Sequence, residues 1–88
     1  MKVYVLESLC DEDRVADSYV VGVYADNAKA KRVMEREIKK ELKRYKEKYD
    51  DVKIDQYGAH VAVINEIDFG GEISQELMRL TIYERTIR

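Results

Sequence analysis

The chain has 88 residues, with 16 Lys and Arg against 18 Asp and Glu for a net charge of −2, and it holds one cysteine, one histidine, no proline and no tryptophan. One small domain spanning residues 1–88 is expected. The counts exclude a zinc cluster and an internal disulfide, and they leave few means for thiol or imidazole catalysis. Hydrophobic residues make up 45% of the chain, enough for a core, and Val and Ile total 17 against five Leu, which favours sheet over an all-helical bundle.

Met1 leads directly into Lys2-Val3-Tyr4-Val5. The sequence has neither a signal-peptide pattern nor an 18-residue apolar run, so a cytoplasmic protein with no membrane contact is expected. Residues Lys2 to Leu9 form a strand whose continuous apolar run, Val3 to Leu6, suits burial on both faces in the middle of a sheet. The acidic stretch Asp11, Glu12, Asp13 and Asp17 then breaks the pattern, and Ser18 to Tyr24 reads as a second strand that pairs with the first as an antiparallel hairpin. Gly22 within it marks a bulge or a close approach by another group.

Asp26 is a suitable helix N-cap. From Ala28 to Tyr49 the chain has no glycine or proline. Met34, Ile38, Leu42, Tyr45 and Tyr49 fall within an arc of about 80°, widened by Val33 and Ala30, which predicts an amphipathic helix of about 20 residues laid on a sheet. Asp50-Asp51 ends it. Val52 to Tyr57 reads as a short strand, with Gly58 in the turn that follows. His60 to Phe69 reads as a strong strand with Val61, Val63, Ile67 and Phe69 on one face and Asn65 interrupting it. Gly70-Gly71 marks a turn. Ile73, Leu77 and Leu80 have helical spacing, so a helical turn or two over 72–78 is expected to run into a terminal strand, Leu80 to Ile87. The expected fold is α+β: a two-layer sandwich with one long helix on a mainly antiparallel sheet of about four strands, ββαβ followed by a C-terminal hairpin or strand. With a single helix, one sheet face is left poorly covered, and an apolar second face would argue for dimerisation.

The segment Val20 to Ala30, VVGVYADNAKA, together with the Val3-Tyr4-Val5 strand and Ile64-Asn65-Glu66-Ile67-Asp68, resembles a pattern found in small uncharacterised bacterial and phage proteins. The resemblance covers residues 2–40 and 60–69. It implies a ββαβ arrangement and a phage or mobile-element origin, hence a host cytoplasm. It carries no activity.

Cys10 and His60 are the one pair from which a thiol dyad could be built, and no motif supports it. The bland reading is a small residue at a strand end and a solvent-facing histidine. The acidic loop lacks the ligand and glycine positions of a calcium loop. No catalytic residue, metal site or cofactor is therefore expected.

Charge distribution says more. Residues 29–48 hold ten basic and four acidic residues, a net +6, while the remainder of the chain is −8. Lys29, Arg32, Arg36, Lys39, Lys40, Lys43 and Lys46 fall within about a 120° arc opposite the apolar stripe. Glu35 and Lys39 make a favourable i,i+4 pair, whereas Arg32/Arg36, Arg36/Lys40 and Lys39/Lys43 repel. A helix tuned for stability alone alternates its signs more evenly. The expected function is a non-enzymatic accessory protein that binds a host macromolecule, of the kind that inhibits a host or defence protein, acting as monomer or homodimer. Its candidate binding residues are Arg32, Arg36, Lys39, Lys40, Lys43 and Lys46 on the ridge or, alternatively, Asp11, Glu12, Asp13, Asp17, Glu66, Asp68 and Glu72 on an acidic surface. The alternatives are a nucleic-acid-binding module that uses the same ridge and a small ligand-binding oligomer.

Overall fold

The computed structural model describes residues 1–12 and 16–87. Asp13, which the acidic surface includes, lies outside them. The elements run β1 (Lys2–Cys10), β2 (Asp17–Tyr24), α1 (Asn27–Lys48), β3 (Val52–Tyr57), β4 (Val61–Ile67) and β5 (Ile73–Thr86). The sheet has five strands in the order β2-β1-β5-β4-β3, and every neighbouring pair is antiparallel. The α+β class and the hairpin β1–β2 match the sequence expectation, and the strand count is five rather than about four. The central strand is β5, with β1 one place out from it. The 14 residues of β5, about 46 Å when extended, account for a molecule whose longest dimension is 49 Å.

The helix starts where the sequence predicts. Asp26 sits in an extended conformation and its carboxylate accepts from the Ala28 N–H at 2.9 Å, satisfying one of the free first-turn donors. The other end closes through Tyr49 N–H to the Tyr45 carbonyl at 2.8 Å, with Lys46 and Lys48 in the last turn facing the negative end of the helix dipole. Ala30, Val33, Met34, Ile38 and Tyr45 are buried against the sheet, and Leu42 and Tyr49 pack at the margin. On the sheet they meet Leu6 of β1, Val52 of β3, Ala62 and Ile64 of β4, and Leu77, Met78, Leu80 and Ile82 of β5.

The sheet has three register shifts, one of them at Ser74 of β5, and the other two shape this layer. On β2 the register against β1 slips at Val21, between the pairs Leu6–Gly22 and Glu7–Val20. Beside it, a Cβ at Gly22 would come under 3 Å from the Tyr24 ring, so the missing side chain lets that ring lie across the strand. On β5 the register against β4 slips at Leu77, between the pairs Ile64–Met78 and Asn65–Glu76. Leu77 and its neighbour Met78 both enter the helix-side core.

Two expectations need correction. Residues 72–78 contain no helical turn: Ile73 begins one continuous strand that runs to Thr86. The fourth strand is shorter than His60 to Phe69; it spans Val61–Ile67, His60 lies in the preceding turn, and Phe69 is fully exposed in the next one. Val61 and Val63 lie on the face away from the helix, and the core residues of that strand are Ala62 and Ile64. Gly71 adopts φ +80° in the turn between β4 and β5, and Gly58 φ +68° in the turn between β3 and β4, a region costly for residues with a Cβ.

The face away from the helix is mixed. Cross-strand rows follow from the registers: Val23–Val5–Tyr83, then Val20–Glu7–Thr81–Val61–Tyr57, then Ser18–Leu9–Arg79–Val63–Asp55. Arg79 is held by Glu76 at 2.6 Å, and Asn65 donates to Asp55 at 2.8 Å, so a polar cluster covers the β4 side. On the β1–β2 side Val5, Leu9, Val20 and Val23 predominate, with Glu7 and Ser18 among them.

Candidate functional site

The ridge cations are Arg32, Arg36, Lys39, Lys40, Lys43 and Lys46. All six are exposed along one side of α1, with Lys29 continuing the line towards the N-terminus. A 14-residue rise from Arg32 to Lys46 extends about 21 Å. Burial of Met34, Ile38 and Tyr45 against the sheet fixes the rotation of the helix, and this turns the opposite arc outward. Among the described residues none of the six ridge cations forms an ion pair; the pairs found join Lys2 with Glu84, Arg44 with Glu41, Lys48 with Glu12, Lys53 with Asp55 and Arg79 with Glu76. The predicted Glu35–Lys39 pair is among those that do not form. Glu41 is instead taken by Arg44 at 2.7 Å, which stacks 4.4 Å over the Tyr45 ring.

Among the described acidic residues, Glu12, Glu66 and Asp68 have their carboxylates engaged locally. Glu12 accepts from the Tyr49 hydroxyl and from the Lys48 ammonium, both at 2.8 Å, tying the end of β1 to the end of α1. The bond from Lys48, helped by Tyr49, holds its carboxyl below the usual value of 4.5, against a smaller opposing effect of burial. Asp68 accepts from the Gly70 and Glu72 N–H groups, each at 2.9 Å, and so builds the turn before β5. Glu66 accepts from Ser74 at 3.1 Å and Gln75 at 2.9 Å. Asp11 is half-buried and its N–H donates to the Leu77 carbonyl at 3.0 Å; Asp17 and Glu72 are exposed. Asp50, Asp51, Glu66 and Asp68 line an open cleft of about 410 Å³ beside Phe69. Among the described residues no group of three or more His, Cys, Asp or Glu is placed to hold a metal ion.

Cys10 and His60 are not brought together. Cys10 pairs with Met78, whereas the His60 carbonyl accepts from the Ile82 N–H at 2.8 Å, four residues along β5 or about 13 Å away. Cys10 contacts the helix instead: its Sγ lies 3.3 Å from the Tyr45 hydroxyl, which also donates a long 3.5 Å bond to the Leu77 carbonyl. Burial, with the Cys10 contact adding to it, raises the Tyr45 pKa well above the usual phenol value. The ring is wholly buried. This contact was not readable from the sequence, because 35 residues separate the partners.

No helix of the described residues is long and apolar enough to cross a membrane. No curated protein and no solved structure matches the chain. A family model described as a domain of unknown function, DUF7336, matches residues 1–61, which cover β1, β2, α1 and β3, and the chain belongs to that family.

Proposed function

We propose that this member of a family without assigned activity is a non-enzymatic binding protein that docks the exposed ridge of α1 on an acidic surface of a partner protein. The observation that carries the reading is the contrast in engagement: among the described residues the six ridge cations form no ion pair, whereas Glu12, Glu66 and Asp68 are tied into local bonds. Unpaired cations spaced along about 21 Å of a rigid helix form a fixed array, which favours a partner with a matching row of carboxylates. A protein partner is favoured over nucleic acid on two grounds. No aromatic side chain lies on the ridge to stack on a base, and the rest of the chain carries a net charge of −8 that repels a polyanion. In its fuller form the proposal makes the chain a phage or mobile-element accessory protein that inhibits a host or defence protein. That part rests on the resemblance of Val20 to Ala30 and Ile64 to Asp68 to such proteins and on the small size of the chain.

The test compares immobilised wild type with an Arg36→Glu/Lys40→Glu variant in nuclease-treated host lysate, eluting with rising salt. A protein retained by wild type, released by salt and absent from the variant supports the reading. An identical set of bound proteins on both columns removes the ridge from consideration. Retention seen in a parallel untreated lysate and lost in the nuclease-treated one transfers the ridge to nucleic acid.

A further inference from the structure

The two edges of the sheet are built differently. The β3 edge carries Lys53 and Asp55, 3.5 Å apart, and such charges on an edge discourage a further strand from pairing. The β2 edge has no charged side chain from Ser18 to Tyr24, and no proline. Its only blunting device is the bulge at Val21. Along it, Tyr19, Val20 and Val23 are 54%, 55% and 58% exposed. Val23 is contiguous with Val5 and Tyr83 on the face away from the helix, so the exposed aliphatic groups of the edge extend an apolar row rather than standing alone.

We propose that β2 pairs antiparallel with β2 of a second copy of this chain, joining the two sheets into one. The charge pattern selects this occupant. β1, β3, β4 and β5 each carry charged residues, among them Lys2 and Glu7, Lys53 and Asp55, Glu66, and Glu76 and Arg79. A charged strand laid on β2 finds no counter-charge there, whereas the one charge that another β2 brings is Asp17 at its first position. The bulge also restricts the register. Because Val21 is the extra residue, Val20 and Val23 share a face, and Tyr19 and Tyr24 share the other. Placing Val20 opposite Val23 of the second copy therefore matches faces throughout and sets Tyr19 opposite Tyr24 of that copy. The two-fold arrangement forms both aliphatic pairs and both aromatic pairs at once, and Asp17 falls beyond the paired stretch at each end. With faces matched, the two helices lie on the same side of the joined sheet, and both basic ridges point the same way.

Sedimentation equilibrium across the micromolar range tests the pairing. Wild type is expected at twice the 10.4 kDa chain mass, and a Val20→Lys/Val23→Lys variant at the single-chain mass with an unchanged circular dichroism spectrum. A second variant does not depend on disrupting the surface: Val20→Cys/Val23→Cys in a Cys10→Ser background is expected to form an interchain disulfide dimer on mild oxidation. A wild-type chain of single mass throughout the range overturns the proposal and leaves the edge to a foreign strand. So does a lysine variant that remains folded at the doubled mass, or a cysteine pair that stays monomeric under oxidation.

Discussion

Glu12 is the residue whose environment departs furthest from what its neighbours in the sequence suggest. Within the run Asp11, Glu12, Asp13 it looks like one more solvated carboxylate, yet it is half-buried and shared by Tyr49 and Lys48. Its pKa is depressed on folding, so its contribution to stability is present above the unfolded value, ordinarily 4.5, and is lost as the pH falls through the lower folded value. Replacing it with Gln removes that dependence. In urea titrations, wild type is expected to lose more stability than Glu12→Gln between about pH 5 and pH 3, with the difference largest at neutral pH. Parallel pH profiles for the two proteins would contradict the assignment. The Tyr45–Cys10 contact belongs to the same scale: the sequence identifies Tyr45 as core through its spacing from Ile38 and Leu42, but nothing in a local pattern reports which strand end meets its hydroxyl.

At the scale of elements, the helix was legible and so was the second half of β5, but its first half was not, for one physical reason. The apolar stripe of α1 keeps its period across six turns, and the Asp26 cap marks its start. In β5 the bulge at Leu77 inserts an extra residue, so Leu77, Met78, Leu80 and Ile82 reach the core with an interrupted alternation. Ile73, Leu77 and Leu80 then imitate a helical period without making a helix. Likewise the alternation of Val61 and Val63 identifies a strand correctly but not the face that meets the helix, since both faces of β4 are buried at its centre. The ridge was readable from the helical wheel. That its cations stand unpaired was not, because pairing depends on where Glu41 and Glu12 reach in three dimensions. Two substitutions separate folding from binding on this helix. Asp26→Ala is expected to cost about 1 kcal/mol through loss of the cap. Arg36→Glu/Lys40→Glu is expected to keep or slightly raise the melting temperature, since it replaces an Arg32–Arg36 repulsion of about 0.2–0.5 kcal/mol with attraction. A marked fall in melting temperature for the charge-reversed protein would mean that the ridge serves stability.

For the whole molecule, strand order decides what depends on what. The family match ends at residue 61, yet β1 and β4 both take β5 as their inner neighbour. Residues 1–61 hold β2-β1 and β3 with no strand to bridge them, and the helix spans the gap. Removing Ile73–Thr86 withdraws Leu77, Met78, Leu80 and Ile82 from beneath α1 and leaves the sheet in two pieces. A chain stopped after Gly71 is expected to show no cooperative unfolding transition by circular dichroism, whereas a sharp one would show that the first four strands suffice.

The central place of β5 also bears on how the protein is made. A ribosome delivers the hairpin and the helix before the strand that joins them to β4, and the partners of that strand in β1 lie more than 65 residues back along the chain. Until then the lower side of the helix and the inner edge of β1 stay open to water and to other nascent chains. Completion of the sheet thus waits on one long-range insertion.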